Sequence, residues 1–189
     1  MRTAREIADG YDLIVFDFDG TIARLSVDWA GMKRELAFEL GRPFDPLAKG
    51  LAALRSAGDT RSIDTYWNIV RRFEWGDPAG LTGSHAVIEL LRAAHPERRV
   101  AICSSNARST VEQGLARLKV SDCVDFIVGG DDVTMAKPHP EGLEAILARF
   151  GADRRRTLFI GDSEVDFEAG AAAGVRTILV NDGALPDHV

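Results

Sequence analysis

The chain has 189 residues, 46% of them hydrophobic and 28% charged, and a formal net charge of −6. That length suits one core with a small inserted subdomain, and the composition is that of a soluble globular protein. The acidic balance and the lack of any Lys/Arg block argue against a nucleic-acid or anionic-membrane partner, and no apolar stretch reaches membrane-spanning length.

Residues 1–10 contain no apolar leader core. Cys103 and Cys123 form no CxxC or zinc pattern and read as reduced thiols, so a cytoplasmic location is expected. Leu13–Phe16 is the first strong signal: a short run of β-branched, aliphatic and aromatic residues, suited to a strand buried on both faces. Asp17 and Asp19 follow, and Gly20-Thr21 breaks the strand. Side chains two apart in an extended segment point the same way, so the two acids can face one ligand. Their repulsion favours a bound cation or one raised pKa. An EF-hand loop does not fit, because position twelve from Asp17 is Asp28 rather than Glu and Ala23, Arg24 and Leu25 offer no carboxylates.

The stretch that follows shows no convincing strand. Helical patterns are predicted at Trp29–Leu40, Leu47–Ser56 and Ile63–Glu74, separated by turn signals around Gly41, Gly58 and Gly76. Inserted directly after the first acidic loop, they read as a lid over it. Within the third helix, Trp67, Asn68, Arg71 and Arg72 are either substrate contacts or a core aromatic with a solvated face. From Ala86 onward, strand and helix alternate. Helices are predicted at Ala86–Ala94, Arg108–Leu118, Pro140–Phe150 and Val165–Ala173, with strands at Val100–Cys103, Phe126–Val128, Thr157–Ile160 and Thr177–Val180. The pattern predicts an α/β fold, a Rossmann-like doubly wound parallel sheet with a small α-helical cap inserted after the first strand. The core is expected over 1–22 and 84–189, the cap over 23–83.

Parallel strands bring their carboxyl ends to one edge, where such sheets place ligands. The second long strand ends in Ser104-Ser105-Asn106 before a helix start, which is either an anion site or simple N-capping. Lys137, one of only four lysines, sits between a strand end and a helix whose first turn holds Pro140. Another strand ends in Gly161-Asp162, with Asp166 about a turn into the next helix. Hard carboxylate oxygens from two loops, without clustered His or Cys, suit Mg²⁺.

These elements, in this order, resemble the haloacid dehalogenase-like hydrolase superfamily in its phosphatase branch. The motifs are Asp17-Phe-Asp-Gly-Thr21, Ser104 closing an apolar strand, Lys137-Pro138, and Gly161-Asp162 to Asp166. The resemblance implies a Mg²⁺-dependent phosphomonoester hydrolase acting on a small phosphorylated metabolite through an aspartyl-phosphate. It implies Asp17 as nucleophile, Asp19 as general acid and base, and Lys137 as the cation that neutralises the transition state. Ser104, Ser105, Asn106 and Gly20 would hold phosphate. Asp17, Asp162 and the Asp19 main-chain carbonyl would hold the metal, with Asp166 orienting metal waters or Lys137. A sugar-phosphate mutase or other phosphotransferase shares these motifs, and a non-catalytic phosphate-binding protein is the third alternative. One departure stands at Arg24, where many capped phosphatases of this kind carry Asp. Arg24 either meets an anionic substrate group or contacts solvent.

Overall fold

Leu13–Phe16 forms the central strand of a computed structural model that describes residues 4–186. In chain order the elements are α1 (Ala4–Ala8), β1 (Leu13–Phe16), β2 (Ala23–Arg24), α2 (Trp29–Leu40), α3 (Leu47–Ser56), α4 (Thr60–Glu74), β3 (Thr82–Gly83), α5 (His85–Ala94), β4 (Arg99–Cys103), α6 (Arg108–Leu118), β5 (Phe126–Val128), α7 (Glu141–Phe150), β6 (Thr157–Gly161), α8 (Glu164–Ala173) and β7 (Arg176–Leu179). The described chain divides into two compact units, one of residues 1–24 and 82–189, the other Leu25–Leu81. No described helix is long and apolar enough to cross a membrane.

In the first unit the five long strands run in the order β5-β4-β1-β6-β7. Every pairing among them is parallel. The order reverses beside β1, since the chain winds outward through β4 and β5, then crosses to β6 and β7. Sheets of this kind open a crevice at that reversal, outside the carboxyl ends of the strands. β1 is buried on both faces, as its unbroken apolar run predicts. Leu13 and Val15 join Ala101, Cys103 and Phe159 in a core closed by Leu143, Ile146 and Leu147 of α7 and Ala169 and Ala173 of α8. The alternate residues Ile14, Phe16, Val100 and Ile102 are also fully buried and point to the opposite face. Cys103 and Cys123 are free thiols; burial pushes the Cys103 pKa up to about 12, which leaves that thiol protonated and inert.

The predicted strands and helices all occur, with boundaries within a few residues. α4 starts at Thr60, a turn earlier than expected, because the Asp59 side chain accepts from Ser62 N and caps the helix there. The expectation of no strand between β1 and α5 is corrected: β2 and β3 pair antiparallel, Ala23 with Gly83 and Arg24 with Thr82. Two-residue strands carry no readable period, so local pattern could not show them. Residues 23–24 and 82–83 fall in the α/β unit.

The second unit packs α2, α3 and α4 around Met32, Leu36, Leu51, Leu54, Ile69 and Val70. Phe44 and Tyr66 lie 5.6 Å apart, and Tyr66 meets Trp67 edge-on at 5.1 Å. Trp67 is 5% exposed, which makes it a core aromatic. On the same helix Arg72 is paired with Glu35 and Arg71 donates to Asn68. These arginines belong to the polar face of an amphipathic helix.

Candidate active site

Asp17 directly follows β1, and its backbone N donates to Ile160 O at 2.8 Å, which continues the parallel ladder one residue past the strand. Ser104 continues β4 in the same way, its N donating to Val128 O at 2.9 Å. Asp162 directly follows β6, and Lys137 comes from the loop between β5 and α7. Three adjacent parallel strands and one loop thus deliver these side chains to the carboxyl edge of the sheet.

Lys137 is the hub. Its Nζ donates to Asp17 Oδ1 at 2.6 Å and to Asp166 Oδ1, and all three side chains are buried, 7% exposed or less. Burial alone would discharge Lys137, but the two carboxylates outweigh it and raise its pKa, so the ammonium persists. Asp166 feels an upward push from burial, which Lys137 and the Ser163 hydroxyl more than offset, and its pKa is lowered. Asp17 goes the other way: burial dominates the attraction of Lys137 and raises its pKa to about 7. Partial desolvation, then the Asp166 charge, raises Asp162 as well.

Carboxylate oxygens of Asp17, Asp162 and Asp166 lie within 4.8 Å of one another, a donor set suited to a hard divalent cation. The three are not equivalent. Asp166 Oδ2 already accepts from Ser163 Oγ at 2.6 Å, Ser163 N at 3.1 Å and Asp162 N at 3.2 Å, while Oδ1 accepts from Lys137. The Ser163 and Asp166 contacts are the capping box of α8. With its lone pairs so engaged, Asp166 is fitted to orient Lys137, leaving Asp17 and Asp162 as the carboxylates with capacity for a metal.

The loop after Asp17 folds back on itself: Gly20 N donates to Ala23 O at 2.6 Å and Ala23 N to Phe18 O at 3.0 Å. Gly20 has φ +91°, and a Cβ there would stand 2.1 Å from Asp162 Oδ2. Only glycine allows both this backbone and this approach. Asp19 is half-buried and bridges to Ala23 through its backbone, and its carboxylate is not part of the three-acid cluster. Ser104 and Asn106 are buried and Ser105 is exposed. Ser104 Oγ donates to Asn106 Oδ1 at 2.9 Å and accepts from Asn106 N at 3.2 Å, so these two are set together after β4.

Sequence reasoning gave no sign of the charged pair at Arg24. Arg24 donates to Asp182 Oδ1 at 3.3 Å, with side chains 64% and 90% exposed. Arg24 therefore contacts solvent and also has an acidic neighbour, Asp182, at the surface. No local signal links residues 158 apart in the chain.

Comparison with known proteins bears on what this edge does. The family model for haloacid dehalogenase-like hydrolases matches residues 14–180. A phosphoglycolate phosphatase of Cereibacter sphaeroides is 33% identical over 190 residues, spanning 90% of this chain and 85% of its own. Pyrophosphatase PpaX of Bacillus cereus is 40% identical over 83 residues, 44% of this chain and 38% of its own. Among solved structures, a haloacid dehalogenase-like family hydrolase from Streptococcus pneumoniae superposes with a TM-score of 0.64 at 20% identity, covering 94% of this chain and 88% of that one, a likeness of fold. On the strength of the family match and the near full-length relative, the chain belongs to the haloacid dehalogenase-like hydrolases and is a phosphatase of that family.

Proposed function

We propose that the protein is a Mg²⁺-dependent hydrolase of small phosphomonoesters that works through an aspartyl-phosphate on Asp17. The observation that carries this reading is the buried Asp17–Lys137–Asp166 chain, which holds a carboxylate and a fixed cation together at the carboxyl edge of the central strands. An Asp17 oxygen attacks phosphorus, and the departing alcohol oxygen takes a proton from Asp19. Asp19 then takes a proton from the water that attacks the acyl phosphate, which releases inorganic phosphate and restores Asp17. Lys137 supplies positive charge where the phosphoryl oxygens gather negative charge. Ser104 and Asn106, with the main-chain N–H of Ser105, hold the phosphoryl oxygens, while the Gly20 N–H, engaged by Ala23 O, shapes the loop rather than binding phosphate.

Asp17 and Asp162, with the Asp19 main-chain carbonyl, would hold Mg²⁺. When bound, the metal screens the carboxylate from the phosphate dianion and favours the ionised form of Asp17. Asp166 keeps Lys137 in place. Residues 25–81 serve as the cap, limiting water and sorting substrates. The free thiols Cys103 and Cys123 fit a cytoplasmic enzyme. Substrate candidates begin with phosphoglycolate and pyrophosphate, the compounds named for the relatives.

The test is inorganic phosphate release from a panel of small phosphoesters, in Mg²⁺ and in EDTA, with Asp17→Asn as control. Release that requires both the metal and Asp17 is expected. Folded protein that releases no phosphate across the panel, yet moves phosphate between sugar hydroxyls, would make it a mutase instead.

A further inference from the structure

A cavity of about 110 Å³ lies beside the Asp17 loop, within the α/β unit, and its lining includes Gly20, Thr21, Arg24, Asp182 and Gly183. At ~30 Å³ per water it has room for about three or four waters, the bulk of a small oxyanion with a carbon or so attached. Arg24 is the one cationic residue in its lining. Thr21 in the same lining is fully buried, and its hydroxyl has no hydrogen-bond partner among the described residues.

The Asp182 segment is built for its position. Asn181 and Ala184 exchange backbone hydrogen bonds at 3.0 and 2.8 Å around a two-residue turn with φ +47° at Asp182 and +73° at Gly183. Asp-Gly is a favoured sequence for such a turn, because both central residues need positive φ. Ser84 anchors it: Ser84 Oγ donates to Gly183 O at 2.6 Å, and Ser84 N donates to Ile22 O at 2.8 Å. One serine therefore ties the turn to the segment that follows the Asp17 loop.

Two energetic facts bear on Arg24. The Asp17, Asp162, Asp166 and Lys137 cluster with a bound divalent cation is spent on the transferring phosphoryl group, so a second negative group on a substrate gains from a fixed cation of its own. Gly20 abuts Asp162, and the Arg24 charge reaches Asp162. The Arg24–Asp182 pair is also cheap to open. Both partners are largely exposed, and exposed pairs of this kind add little to stability. A substrate oxyanion at Arg24 therefore exchanges with Asp182 at little cost.

We infer that Arg24 is a specificity-determining residue that binds a second oxyanion, carboxylate or phosphate, of a small phosphoester, and that Asp182 is the internal carboxylate occupying this position in the free protein. This inference rests on the phosphatase reading above. It makes the preferred substrate a compact molecule bearing two anionic groups.

The experiment compares kcat/KM for phosphoglycolate, pyrophosphate and ethyl phosphate in wild type, Arg24→Gln, Arg24→Lys and Asp182→Asn, with Tm recorded for each. Arg24→Gln is expected to lower the ratio of turnover of the substrates with a second anionic group to that of ethyl phosphate about ten- to a hundredfold, mainly through KM, since a charge-assisted contact is lost. Arg24→Lys restores part of that ratio. Asp182→Asn moves it the opposite way, up by a few-fold, because the internal competitor is gone. Which substrate shows the larger effect separates carboxylate from phosphate. A ratio unmoved in Arg24→Gln, or lowered in Asp182→Asn, overturns the inference while wild-type turnover leaves the phosphatase reading standing. Wild-type protein that turns over ethyl phosphate but neither phosphoglycolate nor pyrophosphate overturns the inference alone, whereas no phosphate release across the broader panel overturns the phosphatase reading with it.

Discussion

Replacing Lys137 with Met removes the one cation that Asp17 and Asp166 share while keeping most of the side chain's volume. The lysine is buried and donates to both acids, so its loss leaves two carboxylates facing each other in a dry site. Removing one partner of a buried ion pair costs about 3–5 kcal/mol, because the charge left behind is uncompensated. At roughly 2–4 °C per kcal/mol for a chain of this size, Tm should fall by about 6–20 °C at pH 8 in EDTA. The sign with pH follows from the protons bound. Without Lys137 the folded-state pKa values of both acids rise, Asp17 from about 7, so the folded variant binds more protons than the folded wild type. Its stability therefore falls more steeply as pH rises, and the deficit should shrink at pH 5, where protonation relieves the repulsion. Saturating Mg²⁺ at pH 8 should also shrink it by giving the acids another positive partner. Thermal unfolding followed by circular dichroism at the two pH values, with and without Mg²⁺, measures all of this. A deficit that is the same at both pH values, or larger at pH 5, would refute the shared-cation account.

Two further outcomes follow from the same cluster. Gly20→Ala places a Cβ 2.1 Å from Asp162 Oδ2 at a backbone φ of +91°; it should cost about 1–3 kcal/mol and weaken Mg²⁺ activation by at least tenfold, read from the Mg²⁺ concentration at half-maximal rate. An unshifted Mg²⁺ requirement would show that Asp162 does not contribute to the metal site. In the metal-free protein burial holds the Asp17 pKa at about 7, above its unfolded value. Asp17 therefore favours folding less as pH climbs through 7, and Mg²⁺ must displace its proton below that pH. Calorimetric titrations in buffers of different ionisation enthalpy should show close to one proton released per Mg²⁺ at pH 6 and close to none at pH 8.5; equal release at both pH values would refute the shift.

How far the sequence reaches depends on the length scale of each interaction. Asp17, Ser104 and Asp162 were readable because each follows an apolar run, and a parallel sheet brings such ends to one edge whatever the detailed packing, while Lys137 was readable as a rare lysine in the loop between β5 and α7. Asp166 was readable as a turn inside a helix, although its capping contacts with Ser163 needed coordinates. The choice between Ser104 and Ser105 turns on the last residue of β4. Strand register shows Ser104 buried against Asn106 and Ser105 exposed, a distinction that no composition rule supplies. β2 and β3 lay below the resolution of pattern reading, since each has two residues and is held by its pairing rather than by its own propensity. Asp182 was wholly hidden. It reaches Arg24 only because β7 ends beside the site and a left-handed Asp-Gly turn, tethered by Ser84, carries the carboxylate back across it. The residues proposed to perform chemistry are thus encoded largely at strand ends. The residues proposed to choose the substrate are encoded by topology, in a contact that exists only after the last strand has been added to the sheet.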